Sequence, residues 1–316
     1  MRFFAWTVLA GAAWAQLPPS APPKPDSEAV KTLIEKAKKA GGAGWADEAH
    51  FFCEAPRPNS PNDPPIEPTR IFDNVYVIGN QGTIATVIRT SQGLLMIDAL
   101  SADQTETQLL PGFQKLGLDP SQVKMIVVGH GHADHFGGSR YFQERYGTKI
   151  YIAGADWDVM ERAPAGKGPV TPLPKRDQLL VEGQPVTLGD FKITPFAVPG
   201  HTPGSMGFIF AVKDRGKTRM AAMYAGTVLT PGIVSDEGLA TYLKSVAHFK
   251  AATQKAKVES ELQNHPLMDP IQPKLDRLKS NAKGPNPFVI GQASFQRFLD
   301  VMAGCTEVNI ARRKGL

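Results

Sequence analysis

The stretch VKMIVVGHGHADHFGG, residues 123–138, decides how the rest of the chain is read. Val123 to Val128 has the length and β-branched content of a buried strand. Three of the seven histidines, His130, His132 and His135, follow it within six residues, together with Asp134. On an extended backbone alternate side chains share a face, so His130, His132 and Asp134 are expected to converge while His135 starts a turn. Gly137-Gly138 then leads into a helix ending near Tyr146. Imidazole nitrogens and carboxylate oxygens are the ligands that zinc accepts. The carboxyl ends of strands are where open α/β sheets place ligands. The pattern therefore predicts a metal site.

Outward from this point the chain alternates between strand and helix. On the amino side, Arg70 to Ile78, Thr83 to Arg89 and Leu94 to Ile97 read as strands, and 102–116 as a helix. On the carboxyl side come a strand at 149–153 and a helix at 154–162. The strands Pro185 to Leu188, Phe191 to Val198, Met206 to Val212 and Arg219 to Ala225 follow. Helices fit 238–256, 270–280 and 291–304, with a short strand at 259–263. Buried strands alternating with helices predict sheets covered by helices. Two such halves in one unit make an αββα sandwich.

The chain has 316 residues, 42% hydrophobic and 21% charged, with a mean hydropathy of −0.21. That excludes a polytopic membrane protein and a disordered chain. The 35 basic and 30 acidic residues are scattered, which argues against a nucleic-acid partner. Met1-Arg2, an apolar run from Phe3 to Ala13 and the small-x-small site Ala13-Trp14-Ala15 read as a signal peptide over 1–15. A periplasmic or secreted protein follows from it, with no membrane association once the leader is cleaved. Residues 16–65 form an N-terminal helix, capped by Asp26 or Ser27 and stopped at Gly41-Gly42, and a proline-rich arm with six prolines in 54–68. Residues 66–316 form the main domain, a monomer by default. Trp45, Phe51 and Phe52 either pack in the core or line a cleft. Cys53 and Cys305 either pair or stay as buried thiols.

Two further histidines complete the arithmetic. His201 lies in the tight loop Pro199 to Gly204, and His265 follows the short strand and precedes Pro266. With the cluster they supply two zinc ions with three protein ligands each, which leaves an open position on each metal. His50 and His248 match nothing in the pattern and read as structural or surface residues. The loop 161–176, rich in glycine and proline, is a weaker candidate for flanking the site.

The His-x-His-x-Asp-His run, the later loop histidine and the last His-Pro pair resemble the metallo-β-lactamase superfamily over roughly residues 66–305, and most of all its subclass B3 enzymes. The resemblance implies an αββα fold of two mixed sheets covered by helices on both outer faces. It assigns His130, His132 and His201 to a first Zn2+, and Asp134, His135 and His265 to a second. It also implies a metal-activated water that opens the C–N bond of a β-lactam, with Asp134 fixing that water. Thioesterases and nucleases of this superfamily carry a bridging carboxylate after the strand that ends at Ala225; here Gly226-Thr227 stand instead. Thr227 matches a substrate-binding hydroxyl position, whereas Leu229 occupies a place where a second hydroxyl is found. Asp98 matches a superfamily acid that either orients a ligand histidine or caps its strand. The expectation is an exported zinc β-lactamase acting on a small molecule. The alternatives are a lactonase, thioesterase or phosphodiesterase of the same fold, or a zinc-binding protein without activity.

Overall fold

A computed structural model describes residues 25–56, 60, 63–162, 171–229, 234–267 and 269–316. The predicted leader, the linker up to residue 24, the middle of the loop 161–176 and Thr230 to Gly232 lie outside these residues.

The chain opens with α1 (Glu28–Gly41), where Ser27 Oγ accepts the Val30 amide and Gly42 ends the helix at φ 63°. A second helix, α2 (Ala46–Cys53), follows in what reads in sequence as part of an arm. Strands β1 (Thr69–Phe72) and β2 (Val75–Gly79) replace the single predicted run 70–78, because Asp73-Asn74 turns the chain back into a hairpin. Then come β3 (Ile84–Thr90), β4 (Gly93–Ile97), α3 (Leu110–Lys115), β5 (Val123–Val127), α4 (Ala133–Phe136), α5 (Ser139–Tyr146), β6 (Lys149–Ala153), α6 (Gly154–Arg162) and β7 (Gln178–Leu180). The second half holds β8 (Val186–Leu188), β9 (Phe191–Ala197), β10 (Met206–Asp214), β11 (Lys217–Tyr224), α7 (Asp236–Lys255), β12 (Ser260–Glu261), α8 (Ile271–Ser280) and α9 (Gln292–Arg313). Helix α9 runs nine residues beyond its predicted end. Its buried face continues through Cys305, Val308 and Ala311, so burial carries the helix past Gly304.

Two mixed sheets result, of seven strands (β1 to β7 in order) and five (β12-β11-β10-β9-β8). In the larger, β1 to β4 are antiparallel and β4 to β7 parallel. In the smaller, only β12 and β11 are parallel. Three apolar clusters separate four layers. One, with Ile84, Ile97, Val127, Phe208 and Met223, fills the space between the sheets. A second, with Phe113, Phe142 and Trp157, lies under the helices of the larger sheet, and a third, with Tyr242, Phe249 and Phe298, under those of the smaller. The expected αββα order is what the chain adopts.

Trp45, Phe51 and Phe52 belong to the third cluster, which settles them as core residues. The Trp45 ring lies 5.2 Å from that of Phe298, and its Nε1 donates to the Ser294 carbonyl. Cys53 and Cys305 are paired, with Cα atoms 4.7 Å apart, so α2 is tied to α9. Beside them Arg312 grips Asp26 through two hydrogen bonds of 2.7 and 2.8 Å and donates to the Cys53 carbonyl. The disulfide closes a separation of 252 residues, a constraint on the unfolded chain typically worth about 2–5 kcal/mol. Cys53→Ala/Cys305→Ala should lower the free energy of unfolding by that amount, read as a shift of the urea midpoint against wild type under non-reducing conditions.

Candidate metal centre

The carboxyl ends of β4 and β5, which run parallel, share one edge of the larger sheet. On the smaller sheet the ends of β9, β11 and β12 meet at one edge, since β10 is antiparallel to β9 and β11 while β12 is parallel to β11. The Met206 amide donates to the Gly129 carbonyl and joins these two edges. Every predicted metal residue leaves a strand at this seam. His130 and His132 follow β5, with His132 still extended (φ −88°, ψ 149°), but the backbone then winds into α4 at Ala133. The alternation expected from sequence stops there. Asp134 therefore does not join His130 and His132 on one face, because the helical turn carries it to His135 and His265.

Five imidazoles and Asp134 meet as two adjacent groups. In the first, His201 Nε2 lies 3.1 Å from His130 Nε2 and 3.0 Å from His132 Nδ1. In the second, His135 Nε2 lies 2.9 Å from His265 Nε2 and 3.2 Å from Asp134 Oδ2, which is 3.7 Å from His265 Nε2. The rings of His130 and His135 are 4.0 Å apart, so the groups are side by side. Three outer nitrogens are bound away from the centre: His130 Nδ1 to the Ala225 carbonyl, His135 Nδ1 to Asp98 Oδ2 and His265 Nδ1 to the Gly82 carbonyl, each at 2.7 Å. An imidazole that donates from its outer nitrogen turns its other nitrogen inward as a donor of electron pairs. Inward nitrogens about 3 Å apart suit neighbouring ligands on one cation. Among the described residues, His130, His132 and His201, and His130, His135 and His265, each bring their ligand atoms within 4.8 Å of one another. The histidine cluster suggests a metal site, and its residues fit zinc-type coordination.

Burial, reinforced by the neighbouring imidazoles, holds His130 and His201 well below the usual histidine range and pulls His265 down to about 4. Burial also lowers His132. These rings are neutral and able to ligate. His135 differs. Burial works against its charge, but Asp134 and Asp98 outweigh that and push it up to about 10. The same partnership outweighs burial at Asp134 and keeps its carboxyl well below the ordinary carboxylate range. The two carboxylates around His135 thus make the second group a place where positive charge is favoured.

Asp98 is fully buried at the end of β4, at φ 59°. Its Oδ1 accepts the Gly129 amide at 2.7 Å, and its Oδ2 accepts from His135 Nδ1 and, at 2.9 Å, from Asn264 Nδ2. Asn264 Nδ2 also reaches the Ala225 carbonyl, the acceptor for His130. Sequence reasoning missed Asn264, and its position immediately before a ligand-type histidine was the available signal. It also missed Asp156, in α6 just beyond the end of β6, which accepts from the Gly131 and Gly204 amides. Thr227 is fully buried, its hydroxyl has no partner among the described residues, and its carbonyl accepts from Tyr242. Leu229 is buried in the helix-covered core of the smaller sheet. His50 and His248 are surface residues paired with Glu54 and Glu182. Ser121 and Lys124 have the Ser-x-x-Lys spacing of a serine hydrolase. They lie at the amino end of β5, however, the end opposite the histidines, where Lys124 Nζ binds the Ser121 carbonyl.

Residues 78–214 match the metallo-beta-lactamase superfamily. Among curated proteins, a hydroxyacylglutathione hydrolase of Haemophilus influenzae is 27% identical over 32% of this chain and 50% of its own length. An exodeoxyribonuclease of Streptococcus pneumoniae is 26% identical over 45% of this chain and 49% of its own. The chain spans half or less of these relatives. Among solved structures, the subclass B3 metallo-beta-lactamase BJP-1 of Bradyrhizobium japonicum is 28% identical with a TM-score of 0.67, over 80% of this chain and 94% of that one. The FEZ-1 metallo-beta-lactamase of Legionella gormanii, 22% identical with a TM-score of 0.68 over 81% and 99%, shares the fold.

Proposed function

We propose, on the premise that this chain resembles the metallo-beta-lactamase superfamily and has the fold of its subclass B3 structures, that it is a two-zinc hydrolase of β-lactams. His130, His132 and His201 would hold one cation, and Asp134, His135 and His265 the other. When bound, the cations would supply a water of lowered pKa and a Lewis acid for the carbonyl. The chain's own residues do the rest. Asp98 and the Gly82 and Ala225 carbonyls fix the tautomers of the inward-facing rings. Thr83 Oγ1 bonds Asp134 at 3.3 Å and steadies its carboxylate, which could accept a water proton and so leave the water oxygen's lone pair facing the carbonyl.

The observation that carries the β-lactam reading is the lack of a carboxylate where the chain leaves β11. A Cβ on Gly226 would lie 2.8 Å from Ser205 Oγ and 3.2 Å from His201 Cβ, so no acidic side chain fits there without moving the site. Thr227 supplies a hydroxyl instead, buried beside the seam and without a hydrogen-bond partner among the described residues. A second reading, thioester hydrolysis, is favoured by the hydroxyacylglutathione hydrolases among the curated relatives. The disulfide supports action in an oxidising compartment, in line with the predicted export.

The test is a parallel assay of the zinc-loaded chain on nitrocefin, a carbapenem, a homoserine lactone, an acylglutathione thioester and an aryl phosphodiester. A kcat/KM for a β-lactam at least about 100-fold above the others is expected, a difference of roughly 2.7 kcal/mol in transition-state stabilisation. Preference for the thioester would overturn the reading in favour of the second. Thr227→Val, which keeps the shape and removes the hydroxyl, should lower β-lactam kcat/KM by about three- to tenfold, the scale of one hydrogen bond. Zinc content, measured on the same samples, should not change.

A further inference from the structure

We propose that Asp156 is a positioning residue that ties together the two loops presenting His130, His132 and His201, and so sets the affinity of that trio, and not of the other, for its cation. The inference rests on the metal-centre reading above. Asp156 is 1% exposed on the first turn of α6. Its Oδ2 accepts the Gly131 amide at 2.6 Å and the Thr202 hydroxyl at 2.7 Å, and its Oδ1 accepts the Gly204 amide at 2.7 Å. Gly131 stands between His130 and His132, while Thr202 and Gly204 follow His201. One buried carboxylate therefore gathers donors from both backbone segments that carry the trio.

The local sequence is shaped around this carboxylate. A Cβ on Gly204 would lie 2.6 Å from Asp156 Cγ, so only a residue without a side chain brings its amide to Oδ1. The Thr202 hydroxyl is also 2.8 Å from Ser205 Oγ, which accepts the Thr202 amide, so the loop closes on itself as well as on Asp156. Hydrogen bonds to a carboxylate are the stronger class, and one of them holds the His130–His132 segment while two hold the His201 loop against small displacements of their rings. The negative charge also lies behind the trio, where it offsets the charge of a bound cation. None of the three Asp156 bonds reaches His135 or His265; those rings are held by Asp98 and the Gly82 carbonyl. The support is thus divided between the trios.

The experiment is cobalt(II) titration of the metal-free full chain in two backgrounds, with the visible ligand-field absorption recorded. His265→Ala keeps the first trio intact, and His201→Ala keeps the second. Adding Asp156→Asn to His265→Ala should weaken cobalt binding by at least about tenfold, the scale seen for groups that orient ligands, and should change the absorption envelope. Adding it to His201→Ala should change affinity by less than about threefold. Amide exchange at Gly131 and Gly204 should accelerate in the metal-free Asp156→Asn chain. Equal losses in both backgrounds, or no loss in the first, would overturn the positioning role. Should Asp156→Asn fail to fold, Thr202→Val removes one of the three bonds and should still weaken cobalt binding selectively in the His265→Ala background; an unchanged affinity there overturns the proposal. Failure of His265→Ala itself to bind cobalt would instead refute the metal-centre reading.

Discussion

Stripping divalent metal from the protein with a chelator is expected to lower β-lactam hydrolysis by on the order of 10³-fold or more, and zinc should restore it. Metal catalysis contributes several kcal/mol of transition-state stabilisation, and each 1.36 kcal/mol is about a factor of ten. Among the described residues, neither a free thiol nor the Ser-x-x-Lys pair Ser121/Lys124 lies at the seam. The two cysteines are joined to each other in the helical layer. Ser121 and Lys124 lie at the far end of β5. The five imidazoles are the groups that the sheets bring together; burial holds four of them below the usual histidine range, while Asp134 and Asp98 push His135 up against burial. Such an arrangement binds a cation rather than attacking a carbonyl. Initial rates before chelation, after it and after zinc addition measure the effect; undiminished turnover by the stripped protein would contradict it.

Asp98→Asn should weaken zinc binding by about 10–100-fold and lower hydrolysis at limiting zinc by a similar factor. Asparagine is tolerated at a left-handed φ such as the 59° found here, so the substitution leaves the backbone preference in place. What changes is the acceptor pattern. Asp98 accepts from three donors, the Gly129 amide, His135 Nδ1 and Asn264 Nδ2. An amide nitrogen set against any of them faces a second donor, and a buried donor left unpaired costs about 1–3 kcal/mol. The His135 ring then loses the partner that fixes its tautomer and, with it, part of the charge that favours a cation beside Asp134. Competition with a chromophoric chelator gives the affinity. An Asp98→Asn protein that binds zinc like wild type would show that the Asp98–His135 bond is incidental.

Much of the fold was legible because its strands are buried and short and its helices are amphipathic or capped. Ser27 and Gly42 end α1 where their residue types require. The two-residue Arg215-Gly216 turn, both at positive φ, sets the β10–β11 hairpin between strands that had read clearly. Helix α2 was hidden because it is only eight residues long, too short for a periodic signal, and its burial comes from α9 across the chain. The candidate site was legible in its residue types, since so many of the few histidines fall in one run. The grouping of Asp134 with His135 and His265 came only from the resemblance; strand alternation put it with His130 and His132, because the change from extended to helical backbone at Ala133 has no strong local marker. Asp156 was illegible for a different reason, and Asn264 was marked only by its place before His265. Each acts on residues distant in sequence, and a single Asn or Asp in a loop or first helical turn is common without such a role.

The central claim is that two separate donor groups each take one divalent cation. Equilibrium zinc uptake by the metal-free wild-type chain, followed beside His132→Ala and His265→Ala, tests it most directly. Two equivalents are expected for wild type and one tight equivalent for each variant. Uptake of a single equivalent by wild type, or complete loss of tight binding in both variants, would contradict it.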